Sequence, residues 1–146
     1  MNRIVIDANI VAAMVLPVPY TSAVVAAFEN WNERGAPLFA PALWYYEITT
    51  ALRKAVAAGV LNAAQATARL RKCADLSIDS VYPTFELQER ALAWAERLGQ
   101  RAAYDASYLA VAEYIGADLW TADRALARNA RRMGIGWVHH IEDDLE

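Results

Sequence analysis

The 146-residue sequence has little cysteine and histidine, with one cysteine, Cys73, and two histidines, His139 and His140. A single cysteine allows no internal disulfide, which favours a reducing compartment, and the pattern does not indicate a zinc site. No window is both long enough and free enough of charge to span a membrane. The chain starts with a strand-like segment instead of a cleavable leader, so we expect no signal peptide and a cytoplasmic protein.

The sequence also lacks a strong charge of one sign, since its net charge is −3. Hydrophobic residues make up 57% of the chain, which is enough for the core of one domain, and we expect that domain to span residues 1–146. The acidic tail at residues 142–146 is expected to fray. This overall charge neither requires nor excludes a polyanionic partner such as nucleic acid.

Short apolar runs alternate with helical patterns along the chain. The runs predict strands at residues 4–6, 38–40, 76–78, 119–121 and 136–138. Helical periodicity and capping signals predict helices at residues 9–16, 21–34, 42–58, 62–73, 84–98, 103–114 and 123–133. This alternation predicts a three-layer α/β/α fold with a short central parallel sheet of about four to five strands.

Four carboxylates occupy positions where a structural role competes with a chemical one. Asp7 and Asp123 each follow a predicted strand, and each is a candidate N-cap for the next helix. Glu47 lies among large apolar residues of a predicted helix, so it is either on a solvated face or buried with a partner. Asp105 lies near the start of a helix, where it can compensate the helix dipole.

The predicted topology can bring these four side chains together. Parallel strands end at one edge of a sheet, which places Asp7 and Asp123 on that edge, and the helices with Glu47 and Asp105 can approach it. Carboxylates that meet in one cleft repel unless a divalent cation is present, and all-oxygen ligands favour Mg²⁺ or Mn²⁺. Three polar residues are candidates to orient the carboxylates or metal-bound water: Asn9, Ser107 and Thr121.

Four blocks of the sequence carry a family resemblance, at residues 4–9 (IVIDAN), 41–52 (PALWYYEITTAL), 104–110 (YDASYLA) and 119–126 (LWTADRAL). In these blocks the chain resembles the PIN domain and, within it, the VapC toxins of bacterial type II toxin–antitoxin pairs. The resemblance covers essentially the whole chain. It implies a Mg²⁺- or Mn²⁺-dependent endoribonuclease whose catalytic and metal-binding residues are Asp7, Glu47, Asp105 and Asp123, with Asn9 and Thr121 as polar neighbours.

The resemblance also implies a reaction and partners. Water would attack the RNA phosphodiester and leave a 5′-phosphate and a 3′-hydroxyl. A cognate VapB-like antitoxin would cover the acidic site with its C-terminal segment, and the toxin would form a homodimer. The apolar stripe of Val24, Val25, Phe28 and Trp31 is expected to face either the antitoxin or the dimer partner.

RNA binding requires cations outside the metal site. Arg124 and Arg128 lie one turn apart in a basic stripe on the last predicted helix, which is either an RNA contact or a solvated helix face. Arg53 and Lys54, which follow Glu47 on its helix, are the other candidates. The aromatic run at residues 44–46 can stack on unpaired bases or belong to the core.

Two other functions compete with the nuclease. A phosphotransfer protein also places an aspartate after its first strand, but it needs a lysine late in the chain and none follows Lys72. A non-catalytic PIN-like module that binds RNA or protein is the second alternative. Four acidic positions argue against it, because an inactive site has no need to tolerate their repulsion.

Overall fold

The computed structural model describes residues 2–145, so Met1 and Glu146, the ends of the expected domain and tail, lie outside the described residues. Within this range the chain forms five strands and seven helices. The strands are β1 (Ile4–Ile6), β2 (Leu38–Pro41), β3 (Ile78–Val81), β4 (Asp118–Thr121) and β5 (Val138–His140). The helices are α1 (Ala8–Val15), α2 (Thr21–Glu33), α3 (Leu43–Ala57), α4 (Ala63–Ala74), α5 (Phe85–Leu98), α6 (Tyr104–Ile115) and α7 (Arg124–Arg132).

The described strands form one parallel sheet in the order β3-β2-β1-β4-β5. The central strand β1 is apolar and fully buried, as expected for a strand covered on both faces. Helix α6 contacts β1, β2 and β4 and packs against α5, while α1 contacts β4 and packs against α2, α3 and α4. The predicted three-layer α/β/α fold is confirmed.

The two edge strands begin later than the sequence pattern indicates. β3 spans residues 78–81 instead of 76–78, because Ser77 has a φ of 52° and the chain turns there before the strand begins. β5 spans residues 138–140 instead of 136–138 and includes both histidines. Each edge strand includes a polar residue, so an apolar run does not mark its position. Asp79 of β3 is exposed, whereas His140 of β5 is buried and accepts a hydrogen bond from the Glu142 backbone at 3.2 Å.

The helices begin and end at recognisable local signals. Asn62 caps α4 by accepting a hydrogen bond from the backbone N–H of Gln65 at 2.8 Å, and Thr84 caps α5 by accepting one from Leu87 at 3.2 Å. Helix α5 ends at Gly99, whose φ of 68° is the left-handed conformation that glycine adopts without steric cost. The longest described helix has fifteen residues, and within residues 2–145 none has the length and apolar character of a membrane span.

Two residues of the apolar stripe of α2, Val24 and Trp31, face the core, which corrects their assignment to a partner surface. Val24 and Trp31, seven residues apart on one face of the helix, are 0% and 1% exposed. Trp31 contacts the rings of Phe28 and Trp120, with centroid distances of 5.4 and 5.8 Å. Only Val25, at 39%, is exposed, because it lies on the next face of the helix.

Candidate active site

Asp7 follows β1 at the carboxyl edge of the sheet. Its backbone N–H continues the ladder by donating to the Trp120 carbonyl at 3.0 Å, which brings its side chain beside Thr121. The Thr121 hydroxyl donates to Asp7 Oδ2 at 2.8 Å, and Asp7 is 6% exposed. Although Asp7 occupies the N-cap position of α1, its side chain makes no capping hydrogen bond. Its carboxylate therefore faces the site instead of serving as the helix cap.

Glu47 reaches the same site from α3. Tyr108 of α6, which is 1% exposed, donates its hydroxyl to Glu47 Oε1 at 2.7 Å. Partial burial raises the pKa of Glu47; the hydrogen bond from Tyr108 opposes this shift, and the charge of Asp105 adds to it. The pKa of Tyr108 is itself raised, by burial and then by the charges of Asp7 and Glu47, so this phenol remains a protonated donor at neutral pH.

Asp105 lies in the first turn of α6 and is held by Gln100, whose amide donates to Asp105 Oδ2 at 3.0 Å. Its charge acts on both other carboxylates. Burial raises the pKa of Asp7 to about 7; the Thr121 hydrogen bond opposes the shift, and the charges of Asp105 and Glu47 add to it. Three carboxylates therefore share one electrostatic environment at the carboxyl edge of the sheet.

Asp123 belongs to a neighbouring hydrogen-bond network and caps α7. Its Oδ1 accepts from the Leu126 backbone at 3.1 Å, and its own backbone N–H donates to Thr121 Oγ1 at 3.0 Å. Asn9 accepts from the Ala122 backbone at 3.1 Å and points its amide group at Thr121 Oγ1, 3.5 Å away. The Thr121 hydroxyl thus donates to Asp7 and accepts from the residues around it, and it connects Asp123 to Asp7.

Ser107 does not join this network, although the sequence suggested it as a neighbour of the carboxylates. Its hydroxyl donates to the Ala103 carbonyl of its own helix at 2.7 Å, and it lines an apolar pocket with Leu43 and Val81. Residues two apart on a helix point to different sides, so Ser107 and Asp105 do not face the same site.

Two residues that hold the carboxylates were not identified from the sequence. Tyr108 lies three residues after Asp105, and that spacing puts both on one face of α6, so a helical projection contains the signal. Gln100 lies in the loop before α6 and reaches Asp105 only through the loop conformation. Local sequence periodicity contains no signal for Gln100.

The carboxylates fit a divalent cation by the chemistry of their donors. Asp7, Glu47 and Asp105 offer only oxygen, the ligand type that Mg²⁺ and Mn²⁺ prefer. The pKa of Asp7 is raised mainly by burial and further by the charges of Asp105 and Glu47, and a cation would offset both effects. Within residues 2–145, no group of three or more His, Cys, Asp or Glu side chains is already arranged to hold a metal ion. Glu47 and Asp105 are instead bound by Tyr108 and Gln100.

A family model of the PIN domain matches residues 4–132. The chain belongs to the PIN-domain family. Its fold is similar to that of PAE2754 from Pyrobaculum aerophilum, with 28% identity and a TM-score of 0.69 over 99% of this chain and 87% of that one. A search of curated proteins found no match to the sequence.

The fold of this PIN domain is also that of a known toxin. Mycobacterium tuberculosis VapC20, a sarcin-ricin-loop-cleaving toxin, matches with a TM-score of 0.62 over 82% of this chain and 87% of the toxin. The sequence identity is 17%, so this likeness concerns the fold alone.

The C-terminal turn, residues 142–144, binds the basic residues at the start and end of α7. Arg124 donates to both carboxylate oxygens of Asp143 at 2.6 and 2.7 Å and to Glu142 at 3.1 Å. Arg131 donates to Asp144 at 3.0 Å. The guanidinium of Arg124, a predicted RNA contact, is therefore paired within the chain, and the described part of the expected frayed tail forms this turn.

The other predicted RNA contacts separate in the structure. Arg53 and Lys54 are adjacent in sequence but about 100° apart around α3. Lys54 lines a groove with Glu47, whereas Arg53 lines a different groove between α3 and α4. Arg128 is exposed on α7. Within residues 2–145, Arg53, Lys54 and Arg128 have no ion-pair partner.

Proposed function

We propose that this PIN-domain protein is a metal-dependent endoribonuclease and the toxin of a toxin–antitoxin pair. The observation that supports the chemistry best is the burial of Asp7 close to two further carboxylates, Glu47 and Asp105, at the carboxyl edge of the sheet. Burial raises the pKa of Asp7 to about 7, and repulsion from Asp105 and Glu47 adds to the shift. Repulsion of this kind lowers stability and is expected where a hard cation completes the site.

Asp7, Glu47 and Asp105 would hold Mg²⁺ or Mn²⁺, and Asp123 would extend the acidic set at its rim. Such an ion, when bound, lowers the pKa of a water molecule and offsets charge on the reacting phosphate. Thr121 fixes the orientation of Asp7 through its hydroxyl.

Two further side chains orient this set. Tyr108 holds Glu47, and Gln100 holds Asp105. These hydrogen bonds already restrict the conformations of Glu47 and Asp105. The two side chains therefore lose less conformational entropy when a cation binds.

Removal and return of metal tests the catalytic proposal directly. Purified protein should cleave a mixed single-stranded RNA in Mn²⁺ or Mg²⁺, stop in EDTA and resume when either ion is added back. Asp7→Asn, assayed beside the parent, should remove cleavage while leaving the circular dichroism spectrum unchanged. Cleavage that continues in EDTA, or equal cleavage by the variant, would contradict a metal-dependent mechanism at this site.

The toxin proposal concerns the cellular context and partners. We propose that the protein acts in the cytoplasm, as a homodimer, and that a VapB-like antitoxin covers the acidic site with its C-terminal segment. A basic side chain on that segment would suit the three carboxylates by charge. Expression of the parent should arrest bacterial growth, and Asp7→Asn should not. Equal growth under both would argue against a toxin that acts through RNA cleavage.

A non-catalytic RNA- or protein-binding PIN module is the second candidate. It is favoured by the Glu47–Tyr108 and Asp105–Gln100 hydrogen bonds, which already engage two of the carboxylates. The same cleavage assay separates the candidates, because a binding module retains RNA affinity but yields no product in any divalent ion.

A further inference from the structure

We propose that the groove between α3 and α6 is a stacking site for unpaired nucleobases, formed by Tyr46 and Tyr104. This inference rests on the proposed nuclease function, because it describes how the substrate is held beside Glu47 and Asp105. The groove has a volume of about 490 Å³. It opens from the acidic site along α3.

One stripe of α3 forms most of the groove. Tyr46, Thr50 and Lys54 recur every four residues along it, with Glu47 beside them, so they share one side of the helix. Tyr104, the first residue of α6, lines the groove from the opposite helix. Glu47 lines the groove and also belongs to the acidic site, where its charge acts on Asp7. The groove therefore meets the acidic site at Glu47.

The two tyrosines differ from the aromatic residues that build the core. Tyr46 is 75% exposed and Tyr104 is 62% exposed, whereas Trp44 is 4% exposed and donates its indole N–H to Ser80 at 2.9 Å. Within residues 2–145, neither tyrosine ring stacks on another aromatic side chain. The faces of both rings are consequently accessible to a ligand.

The charges of the groove favour a neutral flat ligand with a nearby anion. Glu47 would repel a phosphate placed inside the groove, but an unpaired base has no net charge and can lie against an aromatic ring. Lys54, about 12 Å from Tyr46 along α3 given the helical rise, offers a cation for the backbone phosphate that follows. Bases in a duplex are already stacked, so the groove fits single-stranded RNA.

The test compares alanine and phenylalanine variants by binding alone. Fluorescence anisotropy with a labelled single-stranded RNA, in EDTA and low salt, measures affinity without cleavage. Tyr46→Ala and Tyr104→Ala should each weaken binding by about 5- to 100-fold, which corresponds to the loss of one base-aromatic stack. Tyr46→Phe and Tyr104→Phe keep the ring and should bind within about twofold of the parent.

Tyr114→Ala is the matched control. Tyr114 is a tyrosine of the same helix, 52% exposed, at the end away from Asp105, and its replacement should leave RNA affinity unchanged. An RNA that has an abasic site in place of the stacked nucleotide should bind the parent more weakly than the intact RNA does. The alanine variants should bind both RNAs equally.

Three outcomes would overturn the stacking site. The first is unchanged RNA affinity in both alanine variants, and the second is an equal loss in the phenylalanine variants, since the hydroxyl would then be the contact. The third is an alanine variant that binds RNA as the parent does but no longer binds a short arginine-rich peptide that the parent binds. That result would assign the groove to a protein partner. If the parent binds RNA through the tyrosines but cleaves none in Mn²⁺, the nuclease proposal fails and the stacking site stands.

Discussion

The two walls that flank Asp7 differ in how their charged groups are satisfied. The wall formed by α3 and α6 carries Glu47 and Asp105, whose charges raise the pKa of Asp7. This wall also contains the open groove. The other wall, formed by the start of α7 and the C-terminal turn, pairs Arg124 with carboxylates of the chain. On that wall Asp123 serves as a helix cap.

This difference suggests a division of roles between the walls. Arg124 must lose its ion pairs before it can bind a ligand, so its net contribution to binding is small. Glu47 and Asp105 each accept a hydrogen bond from a neutral donor, but within residues 2–145 neither carboxylate has an ion-pair partner. Residues on the α3–α6 wall are therefore expected to dominate binding and catalysis. On the α7 side, the backbone N–H of Asp123 donates to Thr121, whose hydroxyl donates to Asp7.

Among the variants considered, replacing one carboxylate from each wall should change the cleavage rate most. Asp105→Asn should reduce RNA cleavage more than about 100-fold, because it removes a carboxylate that faces Asp7. Asp123→Asn should reduce cleavage less than about tenfold, because asparagine still caps α7. Initial cleavage rates at saturating Mn²⁺ measure both. An equal loss in the two variants would show that the walls contribute alike.

The next effect concerns the stability of the metal-free protein. The pKa of Asp7 is about 7 in the folded state against an ordinary value of 3.8, so the folded state binds the proton more tightly than the unfolded state. The parent in EDTA should therefore lose stability as the pH rises from about 4 to about 7. Asp7→Asn cannot ionise and should be more stable than the parent at pH 8 by about 1–3 kcal/mol.

Urea unfolding at pH 5 and pH 8 checks this sign. The stability difference between Asp7→Asn and the parent should shrink at the lower pH. A parent that becomes more stable on going from pH 5 to pH 8, relative to the variant, would contradict the raised pKa. Saturating Mn²⁺ should stabilise the parent more than the variant.

A smaller effect is expected from the phenol that orients Glu47. Tyr108→Phe removes the donor and should weaken Mn²⁺ binding by about tenfold, since groups that orient metal ligands typically contribute this much. Titration calorimetry of the full chain measures the change. Tyr114→Phe, on the same helix, is the control and should have no effect. An unchanged Mn²⁺ affinity in Tyr108→Phe would remove this residue from the site.

The smallest effect compares one cation from each wall. Lys54→Ala should weaken RNA binding a few-fold. It should also lower the magnitude of the slope of log K against log salt concentration by about 0.7, the value for one phosphate contact on a single strand. Arg124→Ala should leave both within about twofold of the parent, because Asp143 and Glu142 already bind its guanidinium. A lower salt slope in Arg124→Ala would show that RNA displaces the C-terminal turn.

Sequence patterns located the buried elements well and the exposed ones less well. The central strand at Ile4–Ile6 was predicted at its observed bounds, because an apolar β-branched run is the only kind of segment that fits a strand buried on both faces. The edge strands β3 and β5 were misplaced by two residues at their starts, since polar side chains are tolerated there. The stripe of Val24 and Trp31 was correctly recognised as apolar but wrongly assigned to a partner, because apolar periodicity does not say what covers it.

Some contacts of the candidate site also follow from the strand pattern, whereas others do not. Parallel topology alone puts Asp7 and Thr121 side by side, so their proximity follows from the strand pattern. Gln100 reaches Asp105 through a loop, and Arg124 meets Glu142 through the C-terminal turn, neither of which has a local periodicity. The charge pairing of these residues therefore depends on the tertiary structure and not on the strand and helix pattern.

The alternation of strands and helices, the sheet edge on which Asp7 lies and the identity of the carboxylates follow from local periodicity and residue chemistry, so the amino-acid sequence is enough to predict them. Which charges are already neutralised and which aromatic rings are exposed depends on how the chain folds. Burial and pairing depend on neighbours that are distant in the chain. Their free-energy contributions are set by packing and by the local dielectric environment.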